Sequence, residues 1–387
     1  MRAGVAAVMA SACLVSCGGP ASPATSAPPA PAPATTSAIA PYFGSYSMDG
    51  GAIVVIARLG WYFDMSDAAF RTIYATPSSN RFTIGARFQE PVPTFADLVF
   101  GARTLTVVES GHSRAGTRID YKHTDVAVPA RDAQLAATIT EPLTAGPHPG
   151  ILIVHGSEPG ERFFYDVWVG LYASLGLAVL TYDKRGNGAS TGTYPGEFPS
   201  PAALDTFADD AAASLAFLAH WPGVDATRVG FHGGSQGGWT VPLAMLRHPG
   251  GAAFAVLVSA PATTVDQTDL WAGFSGGGAS MPAETTDQML AAVRANHSGY
   301  DPTPALDALT APALWLLGTN DRTVPTAFCV EILASMHKPN FTVQLLPTGH
   351  GMLVNPTGLL ADDSLSPGLA PQLVSTIRAW VGSVISA

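Results

Sequence analysis

The sequence predicts an α/β protein: a mostly parallel sheet covered by helices on both faces, preceded by a small antiparallel β domain. Two observations carry that prediction. From about residue 121 onward, apolar runs of strand length recur at "ILIVHG" (151–156), "LAVLTYD" (177–183), "RVGFHG" (228–233), "AFAVLVS" (253–259), "ALWLLG" (313–318) and "TVQLLP" (342–347). Helical patterns lie between most of them, at 161–175, 202–220, 237–247, 322–337 and 368–385. Strands that are apolar along their whole length need cover on both faces, and alternation with helices supplies it. The second observation is the change of texture between residues 41 and 120, where short apolar runs such as "AIVVIARL" and "WYFDM" are broken by turn residues. In "RFTIGARF" apolar and polar residues alternate, as in a half-buried strand.

The remaining segments follow from composition. The start, "MRAGVAAVMASACLVSC", has a short basic opening and an apolar stretch too short to span a bilayer. It ends in "LVSC", which resembles a bacterial lipobox, so residues 1–16 are expected to be a lipoprotein signal peptide with Cys17 as the lipidated first mature residue. The alternative is an ordinary secretory signal cut near "ASA" at 10–12. Both readings export the protein, either lipid-anchored to the cell envelope or free and secreted or periplasmic. Residues 17–40 are rich in Pro, Ala, Ser and Thr and carry no charge, the composition of a semi-rigid tether. Residues 41–120 then form the small β domain and residues 121–387 the α/β domain, with a short lid at 261–305 holding one helix near 283–296.

Charged residues make up only 12 % of the chain and hydrophobic ones 47 %, a profile of a packed globular protein. The formal net charge of −10, with no basic block, argues against a nucleic-acid partner. The membrane is expected as a partner through the N-terminal lipid anchor only. With Cys17 lipidated and Cys13 removed, Cys329 is the only thiol left, in an apolar helical pattern that suggests packing.

The pattern Gly-x-Ser-x-Gly occurs three times, at 188–192, 233–237 and 273–277, so the pentapeptide alone selects nothing. A nucleophile elbow needs a strand running into a sharp turn that opens a helix, with small residues flanking the serine. Ser235 meets this: "RVGFH" precedes it, Gly233 and Gly237 flank it, and "GWTVPLAMLRH" follows. Ser190 has loop on both sides, and Ser275 has neither a preceding strand nor an immediately following helix, so both are expected to be turn residues.

A serine needs a histidine base, itself oriented by a carboxylate. Asp321 in "ALWLLGTNDRTVP" and His350 in "TVQLLPTGHGM" each lie just past a strand, where strand ends converge on Ser235. Asp183 in "TYDKRG" is the rival acid; its neighbours Lys184 and Arg185 suggest a salt-bridged loop anchor instead. His337 falls at a helix end, and His155 and His232 suit structural or site-lining roles. The oxyanion that develops on an attacked carbonyl needs two backbone N–H donors. Gln236, after the nucleophile, and Ser157, in the loop after "ILIVHG", are the candidates.

These motifs, "HGSEPG", "YDKRGNGASTG", "GGSQGG", "GTND" and "GHG", make the chain resemble the α/β-hydrolase superfamily over roughly residues 140–387. More narrowly it is similar to exported bacterial serine esterases. The resemblance implies a serine hydrolase, most closely a carboxylesterase, with Ser235, Asp321 and His350 as triad and no cofactor. Glu158 departs from the family loop, which often has glycine there, and places a carboxylate near the mouth. The expected substrates are therefore small, neutral, short-chain acyl esters. Alternatives are a peptidase of the prolyl-oligopeptidase type, for which the N-terminal region is too short to form the usual propeller, and an acyl thioesterase, which export would separate from cytosolic acyl-CoA. A non-catalytic binding module would be expected to have lost a triad member. Metal chemistry finds no support, since neither HExxH nor CxxC occurs.

Overall fold

The computed structural model describes residues 30–278 and 286–386. The expected signal peptide and Cys17 lie outside the described residues. A helical turn, α1 (Thr36–Ile39), leads into eight antiparallel strands: β1 (Gly44–Met48), β2 (Ile53–Ala57), β3 (Trp61–Asp64), β4 (Ala69–Ala75), β5 (Arg81–Arg87), β6 (Glu90–Phe100), β7 (Thr104–Glu109) and β8 (His112–Arg118). They close into a barrel when β8 returns to β1, pairing Tyr46 with Arg118. The antiparallel β region expected from the sequence is thus a closed barrel, which leaves no unpaired sheet edge.

The barrel also explains why "IVVIA" in β2 is apolar without alternation. Val54 and Ile56 point into the barrel, with Tyr62, Ile73, Phe82 and Leu98. Val55 and Ala57, with Phe63 of β3 and Phe70 of β4, belong instead to the core shared with the α/β sheet. One strand wall therefore serves two cores. The expected tether of residues 17–40 also ends early: Pro33 bridges to Tyr74, and Ile39 is fully buried beneath the barrel residues. Its proline-rich composition hid one apolar side chain that anchors the segment.

The second sheet has the order β16-β15-β14-β13-β11-β12-β10-β9. β9 (Tyr121–Ala130) and β10 (Ala133–Pro142) form an antiparallel hairpin, and β10 pairs antiparallel with β12 (Ala178–Tyr182). β11 (His148–Val154), β12, β13 (Val224–Gly234), β14 (Phe254–Val258), β15 (Ala313–Gly318) and β16 (Phe341–Leu346) run parallel. Helix α2 (Asp166–Ser174) packs on one face. Helices α3 (Pro201–Ala219) and α4 (Gly237–Arg247) pack on the other. This is the mostly parallel, doubly covered sheet that the apolar runs predicted.

The segment 261–305, expected as a lid with one helix, holds α5 (Val265–Ser275), α6 (Thr286–Ala295) and the start of α7 (Thr303–Ala308). Thr264 and Gln267 form a capping box that starts α5, and Gly276 at φ 78° ends it. Ser275 is consequently the buried last residue of a helix, not a turn residue. Two further helices, α8 (Thr326–Ser335) and α10 (Pro371–Ser386), complete the layers, with the short α9 (Leu360–Asp363) between them. α8 covers the same face as α3 and α4, and α10 the same face as α2.

The barrel docks on α2 and on the segment before α10. Gly170 of α2 lies so near β2 that a Cβ there would sit 2.5 Å from a methyl of Val55. Arg58 forks onto Asp166, and Leu369 N–H donates to Ala68 O at 3.0 Å. Burying one Val or Phe side chain is worth about 1.5–3 kcal/mol. The half-exposed Arg58–Asp166 pair adds at most ~1 kcal/mol, so the apolar seam dominates.

Candidate active site

Strand β13 ends at Gly234, and α4 begins at Gly237, leaving Ser235 and Gln236 to make the turn. Ser235 has φ 51°, a left-handed backbone that costs a non-glycine residue strain. The surroundings enforce it: Ser235 N–H donates to Val258 O at 3.0 Å, and its own carbonyl accepts from Gly238 at 2.8 Å. Gly233 is required by space, since a Cβ there would meet Val241 at 2.8 Å. On the far side the tight position is Gly238, not Gly237 as expected. A Cβ on Gly238 would lie 2.8 Å from Ala260 and Pro261, whereas one on Gly237 would have ordinary contacts.

The loops after β15 and β16 bring the other two predicted residues to this turn. His350 Nε2 lies 3.1 Å from Ser235 Oγ, and His350 Nδ1 lies 2.8 Å from Asp321 Oδ2. Asp321 is held by its second oxygen, which accepts the N–H groups of Thr323 at 2.7 Å and Val324 at 2.8 Å. Ser259, at the end of β14, donates to His350 O at 2.6 Å and pins the histidine loop. Burial pulls the His350 pKa down, but Asp321 more than reverses this, and the net shift is upward. With Nδ1–H donated to the carboxylate, Nε2 is left to accept the Ser235 hydroxyl proton.

Ser190 and Asp183 lie elsewhere, in a loop they hold together. Asp183 accepts Arg162 N–H at 2.8 Å and Ala189 N–H at 2.9 Å, and Ser190 Oγ donates to Asp183 O at 2.7 Å. The rest of "YDKRG" is structural too. Arg185 pairs with buried Asp210, and Lys184 Nζ donates to Gly156 O at 2.6 Å and Glu158 O at 2.9 Å.

Those lysine bonds orient the loop after β11. In a trans peptide C=O and N–H point oppositely, so the Ser157 N–H faces away from Lys184. Among the described residues, neither the Ser157 nor the Gln236 backbone N–H has an acceptor. A Cβ on Gly156 would lie 3.6 Å from that of Ser235, which places this loop against the nucleophile turn.

Beside Ser235 opens a cavity of about 100 Å³, lined by Phe164, Tyr165, Trp168, His232, Met352 and Glu158 among others. None of the described residues between 261 and 305 lines it; its aromatic wall comes from α2 and the turn before it. Sequence reasoning missed this wall, because "RFFYDVW" reads as an ordinary amphipathic start. Glu158 lies in the cavity wall and accepts the Tyr165 hydroxyl. Burial would raise its pKa, but His155, Lys184 and Tyr165 hold it down at about 2.

His232 lines the cavity and bonds Tyr172 at 2.9 Å, and burial drops its pKa to about 3, so it stays neutral. His155 is bound to Tyr182 O under the loop. Burial pushes the Cys329 thiol up to about 11, which makes it a packing residue and not a nucleophile.

A doubly covered parallel sheet with a serine at a strand-to-helix turn and a histidine and an acid on later strand ends gives the chain the α/β-hydrolase fold. Residues 165–353 match the prolyl oligopeptidase family, a stretch that contains Ser235, Asp321 and His350. The family match supports an enzyme of the serine-hydrolase kind. Among solved structures, an esterase of Pyrococcus furiosus is similar at 16 % identity and TM-score 0.48, covering 69 % of this chain and 90 % of its own. An esterase from Pyrobaculum calidifontis shows 21 % identity and TM-score 0.45 over 69 % of this chain and 87 % of its own. A 2,6-dihydroxy-pseudo-oxynicotine hydrolase shows 16 % identity and TM-score 0.48 over 68 % of each chain. No curated protein matches the sequence.

Proposed function

We propose that this chain hydrolyses carboxylic esters of short acyl chains through an acyl-enzyme. Ser235 Oγ attacks the ester carbonyl while His350 Nε2 takes its proton, and Asp321 stabilises the imidazolium that forms. The N–H groups of Ser157 and Gln236 receive the oxyanion. Collapse of the tetrahedral species expels the alcohol, which takes the proton from His350. Water activated by the same histidine then attacks the acyl-enzyme and frees the acid and Ser235.

The observation that carries the reading is the unbroken chain of bonds Ser235–His350–Asp321 at 3.1 and 2.8 Å, opening on a cavity of about 100 Å³. An apolar cavity of ~150 Å³ takes a benzene ring, so about 100 Å³ suits an acyl group of a few carbons. Glu158 in its wall disfavours anionic acyl groups.

The test is labelling by a fluorophosphonate, then kcat/KM on esters from about two to about twelve acyl carbons, each buried methylene being worth ~0.8 kcal/mol. We expect labelling that is lost in Ser235→Ala, with activity down roughly 10⁶-fold, and a maximum at short chains. A steady rise to long chains would replace the short-chain reading with a lipase. A second reading, a peptidase, is favoured by the family match over residues 165–353. Proline-directed peptide cleavage outpacing ester turnover would establish it. We further propose export of the protein with Cys17 as lipid anchor, on the strength of "LVSC" and the uncharged segment behind it.

A further inference from the structure

Glu158 has a feature that holding the loop does not explain. Its Oε1 accepts the Tyr165 hydroxyl and lies 3.6 Å from His155 Nδ1. No donor among the described residues reaches its Oε2, although the side chain lines the cavity. The position of Oε2 is fixed relative to the nucleophile. A Cβ built on Gly156 would sit 2.5 Å from Glu158 Oε2 and 3.6 Å from the Ser235 Cβ. Laid end to end, those distances bound the separation of carboxylate oxygen and serine Cβ at about 6 Å.

An unpartnered carboxylate so near the reacting carbonyl opposes the negative charge that develops there. A substrate that brings its own positive charge reverses that penalty. The rings of Phe164, Tyr165 and Trp168 line the same cavity, and aromatic faces together with a carboxylate form a favourable surround for an ammonium group.

We propose that Glu158 Oε2 and these three rings form a cation subsite that receives a protonated amine carried on the carbon next to the scissile carbonyl. The preferred substrates are then α-amino acyl esters. The short reach fixes the position of the amine, because an amine at the end of a longer chain would overshoot Oε2 in a cavity of about 100 Å³. Glu158 stays ionised because burial, which raises its pKa, is outweighed by His155, Lys184 and Tyr165. This inference rests on the esterase reading and names the substrate class within it.

The test compares alanine methyl ester with methyl propanoate, which have the same carbon skeleton but differ in charge, on the purified full chain. The readout is the ratio of their kcat/KM values, each divided by that ester's hydroxide-catalysed rate at the same pH, because the ammonium group itself activates the carbonyl. Lys184, His155, Tyr165 and His350 surround Glu158 whichever ester is bound, so the ratio isolates the charge on the substrate. We expect the amino ester to be favoured at least about tenfold at about pH 6, where a charge-assisted bond forms. The preference should collapse at about pH 9.5, above the amine pKa of ~8.

In Glu158→Gln, whose amide oxygen can still accept the Tyr165 hydroxyl, the ratio should fall to about one at either pH. A wild-type ratio of one or less at the lower pH overturns the subsite, as does an unchanged ratio in the folded variant. If Glu158→Gln does not fold, the wild-type pH dependence of the ratio decides. Hydrolysis of methyl propanoate without any amine preference refutes the subsite and leaves the esterase reading standing. If Ser235 is labelled but neither ester is turned over, the esterase reading fails. Methylammonium should then still slow phosphonate labelling, and absence of that protection refutes the subsite too.

Discussion

Replacing Asp321 by Asn separates two carboxylates that both end strands. Asp321 Oδ1 accepts two backbone N–H groups, at 2.7 and 2.8 Å, while Oδ2 takes His350 Nδ1 at 2.8 Å. An Asn side chain keeps one oxygen, and the two backbone donors claim it. Its NH₂ then faces Nδ1, where two donors cannot meet, so the imidazole shifts its proton to Nε2. Nε2–H now points at Ser235 Oγ and can no longer accept the serine proton. Loss of the correct tautomer costs about 10⁴-fold in kcat, or about 5.5 kcal/mol of transition-state stabilisation. Phosphonate labelling should persist at a lower rate, because the serine itself is intact. Asp183→Asn disturbs bonds to Arg162 and Ala189 and touches none of the three residues. It should cost ~1–3 kcal/mol of stability from a weakened buried network and leave kcat within about tenfold. The assay is kcat on a short-chain ester, with circular dichroism to show that both variants are folded. If folded Asp183→Asn loses more activity than Asp321→Asn, the assignment of the acid is wrong.

Other consequences can be measured separately. Because His350 must be neutral to accept a proton and its pKa is raised, kcat/KM should climb with pH through a value above the usual ~6.5. A pH–rate profile with its acid limb below that value would contradict the bond to Asp321. The same raised pKa has the opposite sign for stability. The contribution of the His350–Asp321 pair is full below the unfolded pKa and is lost as pH rises through the folded one, which thermal melts at graded pH would follow. Gly170→Ala would place a Cβ 2.5 Å from Val55 and should destabilise the protein by about 1–3 kcal/mol, read by denaturant unfolding. Cys17→Ala should shift the protein from the membrane fraction to soluble export or leave the signal uncut; mass spectrometry of an unmodified mature N-terminus elsewhere than Cys17 would end the lipoprotein proposal.

The parts of the structure that were legible are those where one local rule acted alone. Strands β12, β14 and β15, and the later parts of β11 and β13, are buried on both faces, so their sequences are largely apolar. Ser235 and Asp321 could be found because each follows such a strand, and His350 because it follows the apolar run of β16, although that strand is mostly exposed. The hairpin of β9 and β10 escaped notice because residues such as Lys122, His123 and Asp125 leave most of β9 exposed and polar. Barrel closure was invisible for another reason: the pairing of β1 with β8 joins residues distant in the chain. Ile39 was lost in a run of Pro, Ala, Ser and Thr whose composition dominates any window. The cavity wall was missed because Phe164, Tyr165 and Trp168 look like core residues, and packing against the barrel decides which of them face the site.

The placement of α2 between the sheet and the barrel gives remote positions influence over selectivity. The helix carries Trp168 into the cavity on one side and meets Val55 with Gly170 on the other. A change of one methyl on the outer wall of the barrel therefore tilts a lever whose far end is an aromatic plate beside Ser235. A mutant library confined to residues near the nucleophile would leave that lever untouched. One that also varies Val55, Ala57 and Phe63 would retune the shape of the cavity without altering Ser235, His350 or Asp321.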